Sequence, residues 1–149
     1  MRTVLDSSVL MAAYISRAGA CASLLEDVLN DHEWVVSRFI VDELCGKLRE
    51  KFSYPEDDIA AVRQSVIAAA ELVEPTEIAA GTCRDANDLP VLGTAVAGRV
   101  EVLITVDRDL LDLETFRDIP ILKPGEFWRL LESRADATAK APPPEHSED

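Results

Sequence analysis

The sequence predicts an α/β protein: a central parallel sheet of about five strands with helices on both faces. Three observations predict it. Short β-branched apolar runs alternate with stretches of helical periodicity along the whole chain. The 149 residues are 48% hydrophobic, which suits one domain with a full core. Two of the apolar runs, RTVL and VEVLIT, lead into an aspartate, Asp6 and Asp107, at matching positions.

The elements follow in order. RTVL is a β-branched strand, and Val9 to Ile15 is an apolar helical segment. ACASLLEDVLNDH is an amphipathic helix with Cys21, Leu24, Leu25, Val28 and Leu29 on one face. EWVVS is the second strand. From Arg38 to Phe52, Ile40, Leu44 and Leu48 recur every fourth position, so this stretch is helical. SYPEDD breaks the pattern, and Pro55 with the acids behind it opens a helix through Val62, Val66, Ile67 and Ala70. ELVEP is a brief third strand. CRDANDLPVLGTAVAG begins polar, continues as an apolar helix and ends at Gly98 in the manner of a C-terminal cap. VEVLIT is the fourth strand, DLLDLETF a short helix, IPIL the fifth strand, and PGEFWRLLES a last helix opened by Pro124. From Ser133 the composition turns to Ala, Pro and charge, which predicts a domain at 1–132 and a disordered acidic, Pro-rich tail at 133–149.

Composition excludes several chemistries. No apolar run approaches the roughly 18 residues of a membrane span. The start lacks an export-signal pattern, so the expected setting is cytoplasmic, with no membrane partner. Cys21, Cys45 and Cys83 are odd in number and form no CxxC pair, which fits free thiols better than a disulfide framework or a zinc site. His32 and His146 are isolated, which argues against a histidine base. Fifteen basic and 28 acidic residues give a net charge of −13, the opposite of what a phosphate-gripping surface usually carries. Acid gathered around a bound cation would reverse that sign locally.

Four acids stand out. Asp6, Asp88 and Asp107 each sit at the start of a helical segment, where an aspartate ordinarily caps the helix. Glu43 lies mid-helix, about 60° from Ile40 at ~100° per residue, on the border of the apolar stripe. If the first and fourth strands are parallel neighbours, Asp6 and Asp107 open into one crevice at the carboxyl end of the sheet. Carboxylates that converge there repel one another and favour a hard divalent ion, Mg2+ or Mn2+. The chemistry that matches is phosphodiester hydrolysis.

VLDSSVLMAA, VDELCGKL, RDANDLPVLGTAVAG and VLITVDRDLL, in this order and spacing, resemble the PIN-domain ribonucleases. Within that family it looks most like the toxin component of bacterial and archaeal toxin–antitoxin pairs, with the VapC group as relatives. The resemblance runs from Arg2 to about Leu131. It implies a PIN-like three-layer fold and a metal-dependent endoribonuclease with Asp6, Glu43, Asp88 and Asp107 as catalytic and metal-ligating acids. It further implies Thr105 and Ser8 as supporting hydroxyls, an RNA substrate, a cognate antitoxin and a homodimer. The third motif departs from the family's run of aspartates, because Ala86 and Asn87 thin its acids. Asp85 and Asp88 therefore compete for the third position, and the register with VLGTAVAG favours Asp88. Asp109 is a further ligand or a cap. Arg84, Arg108, Lys47 and Lys51 are candidates to hold phosphate, or solvated surface charges.

Two other readings compete. A non-catalytic PIN-fold binding module would have kept its costly acids without using them. A phosphatase with Asp6 as nucleophile needs a second aspartate two residues on, where this chain has Ser8. A dinucleotide-binding fold fails, because no glycine-rich turn follows the first strand.

Overall fold

The computed structural model describes residues 1–140, with side chains through Thr138. Its strands are β1 (Arg2–Leu5), β2 (Glu33–Val36), β3 (Glu71–Leu72), β4 (Val102–Ile104), β5 (Thr115–Phe116) and β6 (Ile119–Leu122). Its helices are α1 (Ser7–Ile15), α2 (Ala20–Asp31), α3 (Arg38–Phe52), α4 (Glu56–Ala69), α5 (Leu89–Ala97), α6 (Arg108–Leu111) and α7 (Pro124–Lys140). A 3-10 turn at Ala86–Asp88 leads into α5.

The sheet has the order β3-β2-β1-β4-β6-β5, and only the β5–β6 pair is antiparallel. The chain builds β1, β2 and β3 outward on one side, then crosses back to lay β4 on the other side of β1. That reversal leaves a crevice beyond the carboxyl ends of β1 and β4, where open α/β sheets form their sites. The register there is Thr3↔Val102, Val4↔Leu103 and Leu5↔Ile104. The Asp6 N–H extends the ladder by donating to the Ile104 carbonyl at 3.0 Å. These central strands read as continuous apolar runs because both of their faces are covered, and Val4, Leu5 and Val102 to Ile104 are fully buried.

The core gathers Val9, Leu10, Leu24 and Val28 from α1 and α2, Ile40, Leu44 and Leu48 from α3, Leu92 from α5, and Phe127 from α7. The Ser37 hydroxyl accepts the Ile40 N–H at the start of α3 and lies 2.7 Å from the buried Thr94 hydroxyl of α5. This polar tie fixes the helix that carries Glu43 against the helix that follows Asp88. Gly93 lets α5 approach the segment after β3, for a Cβ there would run into the Thr76 carbonyl.

Two features differ from the sequence expectation. The sheet has six strands where about five were expected, because the end of DLLDLETF is not helical: α6 stops at Leu111 and Thr115–Phe116 pairs with β6. The last helix continues past Ser133 to Lys140, its last turns exposed through Thr138. The rest of the expected tail lies outside the described residues. Among the described residues no single helix is long and apolar enough to cross a membrane, and α1 and α2 meet that test only as a pair bent by 108°. All three cysteines are free thiols.

Candidate active site

The crevice beyond β1 and β4 is built from short local segments. Asp6 directly follows β1, in extended backbone, and caps α1 by accepting the Ser7 N–H at 2.7 Å. Its other carboxylate oxygen accepts the hydroxyls of Ser8 and Thr105, each at 2.9 Å. Thr105 follows β4 and is fully buried, and its hydroxyl also accepts the Asp107 N–H at 2.9 Å. One threonine thus links the first acid to the turn that carries the fourth. Asp107 in turn caps α6 by accepting the Asp109 N–H at 2.9 Å. Asp6 is 2% exposed, and burial raises its carboxyl above the usual carboxylate range. The Thr105 and Ser8 hydroxyls oppose that rise by favouring the charged form.

Glu43 enters from the side of α3. Its carboxylate accepts the Ser7 hydroxyl in a short contact, and Lys47, one turn on, donates to the same oxygen at 3.2 Å. Lys47 also donates to the Ser7 hydroxyl at 3.1 Å. Ser7 is fully buried and was not singled out in the sequence, although it sits between two residues that were. Lys47, a candidate phosphate contact by sequence, instead directs its charge at Glu43, and the i,i+4 spacing of the two was the visible signal for this pair.

Asp88 behaves differently from the other acids. It is 6% exposed and makes no side-chain capping bond to α5, so the capping account fails for it. Its Oδ2 is buried without a hydrogen-bond partner. Burial pushes this carboxyl up to about 7, and the charges of Asp107, Asp6, Asp85 and Glu43 push in the same direction. Every member of the expected quartet therefore acts on Asp88 through space. One carboxylate oxygen from each of Asp85, Asp88 and Asp109 lies within 4.8 Å of the other two. Among the described residues no other group of three or more potential metal ligands comes this close together, and the charges of Asp107, Asp6 and Glu43 reach Asp88 as well.

The architecture agrees with a comparison of the whole chain. Residues 2–109 match the family model described as the PIN domain, about three quarters of the sequence and all four expected acids. The chain belongs to the PIN-domain family.

Solved structures share the PIN fold. In the crystal structure of VapBC2 from Rickettsia felis bound to a DNA fragment from its promoter, the matching chain has 14% identity and a TM-score of 0.60. That match covers 83% of this chain and 98% of the other. VapBC-1 from nontypeable Haemophilus influenzae gives 17% identity and a TM-score of 0.59, covering 84% of this chain and 99% of the other. Comparison with curated protein sequences finds no match.

The remaining sequence candidates of this PIN domain differ in how they are held. Asp85 caps the 3-10 turn by accepting the Asn87 N–H at 2.9 Å, so it has a structural role beside its place in the acidic group. Arg108 and Lys51 are exposed and make no ion pair among the described residues. Arg84 pairs with Asp109 at 3.6 Å and, more closely, with Asp112, which had drawn no attention in the sequence because it lies past the fourth motif.

Proposed function

We propose that this PIN domain is a metal-dependent endoribonuclease that hydrolyses RNA phosphodiester bonds and serves as the toxin of a toxin–antitoxin pair. The observation that carries the proposal is the buried, unpartnered Oδ2 of Asp88 among carboxylates from four other positions. A buried acceptor without a donor is unfavourable, and repulsion from its neighbours makes it worse. A divalent cation answers both conditions. The donor set fits Mg2+ or Mn2+, since every candidate ligand is a hard carboxylate oxygen and no thiol or imidazole takes part.

Asp6, Glu43, Asp88 and Asp107 are the residues that would hold the ion, with Asp85 and Asp109 beside them. Ser8 and Thr105 orient Asp6, and Lys47 with Ser7 fixes Glu43. When bound, the ion supplies a water made nucleophilic near neutral pH and offsets charge developing on the phosphate. The chain's own contribution is a crevice floor of buried carboxylates, Asp6 and Asp88, whose burial strengthens each electrostatic contact there. The reading also includes a cytoplasmic setting, a homodimer and a cognate antitoxin. The fold shared with chains of VapBC structures supports the last of these.

The test uses purified chain with single-stranded RNA. Cleavage is expected with magnesium or manganese, absent with EDTA, and reduced at least ~100-fold in Glu43→Gln, an acid inside α3 with no capping role. Equal metal-dependent cleavage by wild type and Glu43→Gln would assign the activity to a contaminant and leave a binding module.

A further inference from the structure

A protein with a net charge of −13 must still bring a polyanion to its most acidic crevice, and few cations stand close enough to help. Of the four basic candidates, Lys47 is engaged with Glu43 and Ser7, and Arg108 and Lys51 are held by no ion pair among the described residues. Arg84 alone is both fixed and open. Its side chain is 69% exposed, yet its guanidinium meets two acids: Nε lies 3.6 Å from Asp109 Oδ1, and Nη2 contacts Asp112 Oδ2.

The arrangement of donors decides what this guanidinium can do. An arginine carries five N–H groups in a planar fork. Both acids lie along the edge formed by Nε and Nη2, whereas Nη1 has no acceptor among the described residues. The free end-on edge, Nη1 with the outer N–H of Nη2, has the spacing that receives two oxygens of a phosphate. Asp109 also belongs to the acidic group with Asp85 and Asp88, so Arg84 is fastened to a wall of the crevice itself. Exposed ion pairs add little to stability, and this one's consequence lies in orientation.

Resting on the nuclease reading, we propose that Arg84, clamped by Asp109 and Asp112, is a phosphate-binding subsite for the RNA strand beside the acidic crevice. Asp112 is its positioning residue. A negative side chain would thus strengthen RNA binding, although simple charge repulsion predicts the reverse.

That opposition in sign supplies the experiment. Binding of a fluorescein-labelled, mixed-sequence single-stranded RNA is measured by anisotropy with magnesium, in the Glu43→Gln background so that the RNA survives. Cleavage kinetics are measured in parallel in the otherwise wild-type chain. Arg84→Gln should weaken binding and raise KM about tenfold, with kcat little changed. It should also flatten the salt dependence by about 0.7 in log–log slope, the loss of one phosphate contact on a single strand. Asp112→Asn should weaken binding about threefold and add nothing in the Arg84→Gln background. A merely structural Asp112 would lower the melting temperature and act additively with Arg84→Gln. Tighter binding in Asp112→Asn, or unchanged binding and KM in Arg84→Gln, would overturn the subsite. If the wild-type chain binds RNA through Arg84 but never cuts it, the subsite stands and the nuclease reading falls.

Discussion

At the scale of single residues, Asp88 sets a measurable pH dependence. Burial pushes its carboxyl from the ordinary 3.8 up to about 7 in the folded chain, so between those values the folded state holds the extra proton. Its stabilising contribution is therefore full below about 3.8 and is lost as pH rises through about 7. Metal-free protein should lose stability from pH 4.5 to 8, with a tenfold change in proton affinity corresponding to about 1.4 kcal/mol. Asp88→Asn should reduce that slope, with the remainder owed to Asp6, whose carboxyl burial also raises, and saturating magnesium should flatten it in the wild type. Urea midpoints across this range check both. The residue types of the site were legible in the sequence, because strand-then-aspartate and the mid-helix Glu43 are local patterns. Ser7 and Asp112 were not, since each owes its place to a partner brought by the fold, whereas the pairing of Lys47 with Glu43 is local to one helix. Ser7 faces Glu43 from 36 positions away, and Arg84 reaches Asp112 across 28.

At the scale of elements, the strands and long helices followed from periodicity, but the stretch after α6 did not. β5 and β6 are joined by a two-residue turn in which Arg117 and Asp118 have φ of 48° and 67°. Positive φ at both central positions is the type I′ hairpin turn, whose usual signature is Asn-Gly or Asp-Gly. Arg-Asp carries no such signature, and the apolar spacing of DLLDLETF is compatible with a helix, so the hairpin was hidden. The same mismatch predicts a stability change of either sign. Asp118→Gly should stabilise by about 0.5 kcal/mol, because glycine adopts this backbone without a Cβ penalty. Asp118→Val should destabilise by more than about 1 kcal/mol, since a β-branched residue is poorly tolerated there. Thermal unfolding of the two variants reads the difference. Equal shifts would mean that the turn relaxes freely. The Arg117 guanidinium sits 5.2 Å from the centre of the Phe116 ring and is untouched by either change.

At the scale of the whole molecule, the excess acid and the site are separable by one measurement. Magnesium screens all 28 acids weakly, whereas a site ion stabilises by mass action, about 2.7 kcal/mol at a hundredfold excess over Kd. For a chain of this length that is a rise of roughly 5 to 10 °C in melting temperature. The rise should exceed that in sodium chloride of equal ionic strength, and Asp88→Asn should abolish the excess. An equal response in that variant would assign the effect to screening alone. The sheet order adds a matter of timing. β1 bonds to β4, about a hundred residues later, and Thr105, which holds Asp6, follows β4. At ~5–20 residues per second, the ribosome needs roughly 5 to 20 s to pass from one strand to the other. Throughout that interval Asp6 has emerged without Thr105 or Asp107, so a growing chain has no assembled crevice. The crevice, and with it any chemistry the site performs, thus arises only once the chain has been made past Asp107.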